Sequence, residues 1–147
     1  VHGVVRACGF SSLIRMFDEK ADLNLQNDNG QTALLMAIEA GCETAADELM
    51  TQNVDPNIQD KNGVTPLHVA ARRANVDTVR RLLSLKGNPN LQDTNGNTPL
   101  HNAYLSGNAE TVQALLKVGA DPSILNLQFK EPLDYMDEKL AKELSIK

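Results

Sequence analysis

The chain of 147 residues has no tryptophan, and aromatic residues make up only 3% of it. Deep globular cores draw much of their buried area from large rings. A chain so poor in them, yet 41% hydrophobic, suits thin helix-on-helix packing by Leu, Ala and Val. No apolar run reaches the length of about 18 residues that a membrane-crossing helix needs, so no membrane insertion is expected. Nothing resembles a secretory signal. Cysteine is scarce as well: Cys8 and Cys42 are too few for a disulfide scaffold. They read as reduced, buried thiols, which favours an intracellular setting, cytoplasmic or nuclear, or a host cytoplasm if the chain is delivered by a pathogen.

What the sequence does have is a period. Asp60 to Ala71 reads D-K-N-G-V-T-P-L-H-V-A-A and recurs from Asp93 as D-T-N-G-N-T-P-L-H-N-A, with an eroded copy, N-D-N-G-Q-T-A-L-L-M-A, from Asn27. Gly30, Gly63 and Gly96 are each 33 residues apart. A fixed spacing of this kind marks a tandem array. Asn-Gly predicts a tight turn in which glycine takes a positive φ. Thr65 and Thr98 stand where a hydroxyl caps a helix, and Pro66 and Pro99 then fill the first helical position, where a missing N–H costs nothing. Leu67, Ala70 and Ala71 supply a narrow apolar stripe.

On these residues the chain resembles the ankyrin-repeat family, whose period is 33 and whose hallmark is the T-P-L-H stretch followed by alanines. The later part of the unit agrees: V-D-T-V-R-R-L-L at Val76 to Leu83 matches A-E-T-V-Q-A-L-L at Ala109 to Leu116, and Gly119 to Pro122 is similar to the family's closing turn. The resemblance implies an all-α solenoid of stacked helix-turn-helix units joined by hairpin-like turns. The expected divisions are a partial repeat over 1–26, full repeats over 27–59, 60–92 and 93–125, and a capping repeat over 126–147. The start at Val1-His2 falls inside a repeat, which suggests a fragment or a trimmed chain, with a degenerate natural cap as the alternative.

Several departures from the family pattern carry expectations. Ala33 and Leu35 replace the proline and the histidine, so the repeat over 27–59 should be looser. Asn53 stands at a glycine position. Lys86 does so too, with Gly87 one place late, which predicts a locally rearranged turn. From Asn126 the motif decays, with Phe129 at the glycine position, and Asp137 to Ile146 reads as an amphipathic C-terminal cap whose inner face is Leu140, Ala141 and Leu144.

The chemistry of a catalyst is not evident. His2, His68 and His101 fall one per repeat, which spreads them through the stack instead of converging them on a metal. They read as structural, and no metal or other cofactor is expected. No base or orienting group accompanies the cysteines. Gly9-Phe10-Ser11-Ser12 lacks the second glycine of a nucleophile elbow. The Asn-Gly pairs are turns and not a phosphate loop, and Glu131, Asp134, Asp137 and Glu138 read as a solvated face. The chain is therefore read as no enzyme.

Charge is unevenly spread. Residues 1–60 carry −7, residues 61–93 carry +4 and residues 94–147 carry −2, for a total of −5. A central basic band between acidic ends bears on the charge of a partner. Nucleic acid is disfavoured by the net acidity and the shortage of stacking aromatics. The resemblance implies instead that the first helices and turn tips line a concave groove that binds another protein or peptide, one with an acidic patch where Arg72 and Arg73 stand. Arg80 and Arg81 are expected on the convex back, divided between solvent and a salt bridge. The remaining groove positions implied by the resemblance are Asp28, Asn29, Gln31, Glu39, Lys61, Asn62, Val64, Thr94, Asn95, Asn97, Tyr104 and Leu105. Val64 reads as a small exposed apolar contact. Tyr104 is either a filler against the cap or an aromatic anchor in the groove. The chain alone is expected to be a monomer. Two rival readings are the recognition part of a larger enzyme or effector whose catalytic part lies outside this chain, and a structural spacer.

Overall fold

A computed structural model describes residues 24–52 and 54–146. The expectations for His2, Cys8, Asn53 and the partial repeat over 1–26 lie largely or wholly outside them. Among the described residues seven α-helices follow in order: α1 (Ala33–Glu39), α2 (Glu43–Met50), α3 (Pro66–Arg72), α4 (Val76–Ser84), α5 (Pro99–Ser106), α6 (Ala109–Lys117) and α7 (Glu138–Ile146). A 3-10 turn (Pro132–Tyr135) precedes α7. No strand occurs among the described residues.

Each first helix starts for a local reason. The hydroxyls of Thr32, Thr65 and Thr98 accept the backbone N–H three residues on, and Pro66 and Pro99 open α3 and α5. Asn75 and Asn108 cap α4 and α6 in the same way, while α2 begins after Cys42 without a side-chain cap. The helices stack in two layers. In one layer α1 meets α3, α3 meets α5, and α5 meets the 3-10 turn; in the other α2 meets α4, and α4 meets α6. The core repeats with the sequence: Leu34, Leu67 and Leu100 in the first layer and Leu49, Leu82 and Leu115 in the second are at most 2% exposed. Helix α7 closes the end of the second layer against α6, with Leu140 fully buried and Leu144 packed against the core. Asp137 starts it, accepting from the Leu140 amide at 2.7 Å.

Three expectations need correction. The turn after α4 is not rearranged. Lys86 N donates to Leu83 O and Gly87 N to Leu82 O, matching Gly119 N to Leu116 O and Ala120 N to Leu115 O one repeat later. Lys86 simply adopts φ +70°, where Gly119 has +95°. Its exposed side chain permits that, and the backbone hydrogen bonds enforce it. The decay at Asn126 is likewise confined to the sequence. Asn126 N donates to Lys130 O at 3.0 Å and Phe129 N to Asn126 O at 2.9 Å, so a fourth tip forms, with Phe129 at φ +60°. Lastly, Cys42 is 1% exposed and disulfide-bonded, its partner lying outside the described residues. That overturns the reduced-thiol reading.

Candidate recognition groove

The tips are held by bonds that repeat at every layer. Within each, a single carboxylate or amide oxygen gathers the turn: Asp60 Oδ1 accepts from the amides of Asn62 and Val64, and Asp93 Oδ1 from those of Asn95 and Asn97. Asn27 and Asn126 do the same for the first and last tips. Between tips, Lys61 N donates to Asn29 O, Thr94 N to Asn62 O and Leu127 N to Asn95 O, all at 2.9–3.0 Å. Gln26, Gln59 and Gln92 each bridge two layers, donating from one Nε2 to a carbonyl of their own tip and to a carbonyl of the next. The glycines are required by this closeness. A Cβ on Gly63 would lie 2.8 Å from Asp93 Cα, and one on Gly96 the same distance from Leu127 N.

The histidines lock the tips to the helices. His68 Nδ1 accepts from Thr65 N, so the proton sits on Nε2, which donates to Asn97 O at 2.8 Å. His101 repeats the arrangement towards Lys130 O at 2.9 Å. Both imidazoles thus commit both ring nitrogens, which leaves none for a metal. Burial pushes the His68 pKa below its ordinary value, against smaller opposing contributions from its backbone bond and from Asp93 and Asp60. Leu35 occupies the equivalent place in α1 and can make no such bond.

This scaffold frees side chains rather than backbone. Asp28, Asn29, Lys61, Asn62, Thr94 and Asn95 are exposed along the tips, and Glu39, Arg72 and Leu105 along the ends of the first helices. In the first repeat the two rows are linked. Met36, one helical turn before Glu39 on the same face of α1, receives a hydrogen bond from Asn27 at the base of its tip (3.5 Å, Nδ2 to Sδ). Gln31 and Asn97 are half-buried there, and Asn97 Oδ1 accepts from Asn126 Nδ2.

Three residues expected in the groove sit otherwise. Tyr104 is 6% exposed and belongs to the core, so it fills space and is not an anchor. Val64 is half-buried against the core. Arg73 lies across Gly41 and donates to Glu39 O at 3.2 Å, satisfying an otherwise open carbonyl at the C-terminus of α1. It thereby lines an open depression of about 470 Å³ at the loop edge, together with Glu43, Asp77, Arg80 and Glu110.

The basic band also finds its partners within the chain. Arg72 pairs with Glu39 at 3.5 Å, Arg81 with Asp47 at 3.6 Å, and Arg80 with Glu110 at 3.8 Å and Asp77 at 3.9 Å. Arg80 and Arg81 were expected to divide between solvent and a salt bridge; both are paired. Acidic and basic repeats adjoin, so these three arginines of the band find carboxylates at the surface. Such exposed pairs each contribute only about 0–1 kcal/mol.

Sequence reasoning missed two features. Asn126, 6% exposed, is the hub of the last tip, donating to Asn97 Oδ1 at 2.9 Å and to the Tyr135 hydroxyl at 2.8 Å. Its alignment with Asp60 and Asp93 was the available signal. Beyond the closing turns, Asn24, Asn57 and Asn90 form a second ladder, each accepting from a backbone amide of the following layer at 2.6–2.8 Å.

A family model of ankyrin repeats, in three copies, matches residues 1–93 and 37–126. The chain belongs to the ankyrin-repeat family. These repeats are in general protein–protein interaction modules and typically non-catalytic. No curated protein matches the chain. Among the described residues no helix is long and apolar enough to cross a membrane.

Proposed function

We propose that the chain recognises a partner protein or peptide through the groove between the tips and the first helices, without catalysis. One observation carries this reading. The tips hold each other through backbone hydrogen bonds, while the side chains of Asp28, Asn29, Lys61, Asn62, Thr94 and Asn95 point to solvent. A preformed surface of this kind binds with little ordering cost. Arg72, with 57% of its side chain exposed, is available to a partner carboxylate because its pair with Glu39 is weak.

The test compares capture of binding proteins by the whole chain, by Lys61→Glu/Arg72→Glu, and by Arg80→Glu/Arg81→Glu on the convex back. Retention lost only with the groove variant supports the reading. Retention lost only with the convex variant overturns it.

A further inference from the structure

The groove is graded along the stack, and the grading occurs twice. At equivalent positions of successive repeats the helix ends present Glu39, then Arg72, then Leu105. The tips present Asp28, then Lys61, then the short neutral Thr94, then Leu127. Both rows run from acidic through basic to apolar in the same direction. All of these side chains are exposed, Leu105 at 57% and Leu127 at 70%.

The last tip differs from the others at the glycine position. Gly30, Gly63 and Gly96 are needed because the next tip runs against them, closer than a Cβ allows. Phe129 holds that position in the last tip, at φ +60° and 80% exposed. Its Cβ stands where the backbone of a following tip would pass. Phe129 thus adds a third large exposed apolar side chain to Leu105 and Leu127. Large exposed apolar groups of this kind mark contact sites, and aromatic anchors carry much of the affinity in them.

Resting on the groove reading, we infer that the occupant is an extended segment of a partner protein presenting, in order, a basic residue, an acidic residue and a large apolar residue. The basic residue faces Asp28 and Glu39, the acidic one faces Lys61 and Arg72, and the apolar one seats between Leu105 and Leu127. Stacked helices lie about 10 Å apart and an extended chain advances about 3.3 Å per residue, which places successive anchors about three residues apart. Opposite charge at matched positions sets the register, and the apolar end supplies the hold.

The experiment is selection of a displayed library of random 12-residue peptides, the probe, on the whole chain. It is run in parallel on a variant with the charge order exchanged: Asp28→Lys, Glu39→Arg, Lys61→Asp and Arg72→Glu. All four positions are exposed and the exchange preserves the pairing of 39 with 72, so unfolding temperatures should agree; that is checked first. The expected result is enrichment of peptides with the acidic residue in the middle by the native chain. The exchanged chain should enrich peptides with the basic residue in the middle, at least tenfold over the native order. Reading a peptide backwards does not interconvert these orders, so binding direction cannot mimic the effect. Peptides that Lys61→Glu/Arg72→Glu no longer binds, but whose order is the same for both chains, would overturn the grading and leave the groove reading standing. Enrichment that no groove substitution alters, or no enrichment, would overturn both.

Discussion

His68 Nε2 donates to the carbonyl of Asn97 across 2.8 Å, joining the start of α3 to the tip that follows it, 29 positions along the chain. The bond needs the neutral tautomer, since Nδ1 is already accepting from Thr65 N. It is also the link through which acid should reach the stack.

The folded pKa of His68 is lowered from 6.5 by burial. Between that lowered value and 6.5 the unfolded chain binds more protons, so stability rises with pH there. The contribution is complete above 6.5 and is lost as pH falls through the window below it. Urea midpoints measured at successive pH values should decline below 6.5 in the native chain. The decline should be shallower in His68→Gln, which itself costs about 1–3 kcal/mol by leaving Asn97 O and Thr65 N poorly matched. An equal slope in both would remove His68 as the cause.

Lys86 and Ala74 occupy left-handed backbone at φ +70° and +56°, where Gly119 and Gly107 stand one repeat later. A left-handed conformation costs a side-chain-bearing residue about 1–2 kcal/mol, and the extra freedom of glycine in the unfolded chain returns about 0.5–1. Lys86→Gly and Ala74→Gly should therefore each stabilise by up to about 1 kcal/mol in chemical denaturation. Destabilisation by either would show that the side chain contributes more than the strain it brings.

Glycine should be the favoured residue at both ends of one structural position. Gly63→Ala forces a Cβ to 2.8 Å from Asp93 Cα and should cost about 2–4 kcal/mol through strain and overpacking. Phe129→Gly relieves a left-handed residue with no further tip beyond it among the described residues, and should raise the unfolding temperature.

Leu100 is fully buried in the first layer, and Leu100→Ala should cost about 2–4 kcal/mol. Arg72→Glu removes an exposed pair and sets two carboxylates near each other, a change of no more than about 1 kcal/mol. Comparable damage from the two in a urea titration would mean that Arg72 is not on an open surface.

Because Leu35 cannot join α1 to the next tip as His68 joins α3, amide exchange in α1 should be faster than in α3. Equal protection by hydrogen exchange would show that packing of Leu35 itself, fully buried, replaces the missing bond.

Much of this architecture was legible because its causes are local. Asn-Gly turns, threonine caps, proline at the first helical position and leucines recurring at 33 residues act within a few positions of themselves, and the structure shows each of them. The exposed tips at Lys61, Asn62, Thr94 and Asn95 follow from the turns and were legible for the same reason. Where the reading went astray, the cause lay in a neighbouring layer or in the packing behind a turn. Lys86 keeps a glycine conformation because Leu82 and Leu83 hold the turn from behind.

By itself, the sequence determined the repeat, the order of helices, the identity of the core and the residues carried by each tip. Only the tertiary structure decided what the charges do. Arg81 reaches Asp47, Arg80 reaches Glu110, and Arg73 leaves the groove for the carbonyl of Glu39, because stacking brings together residues about one repeat apart. It likewise decided that Tyr104 is core and that Phe129 takes a left-handed conformation in the last described tip. Those outcomes depend on how closely the next layer approaches, a distance that no single repeat contains.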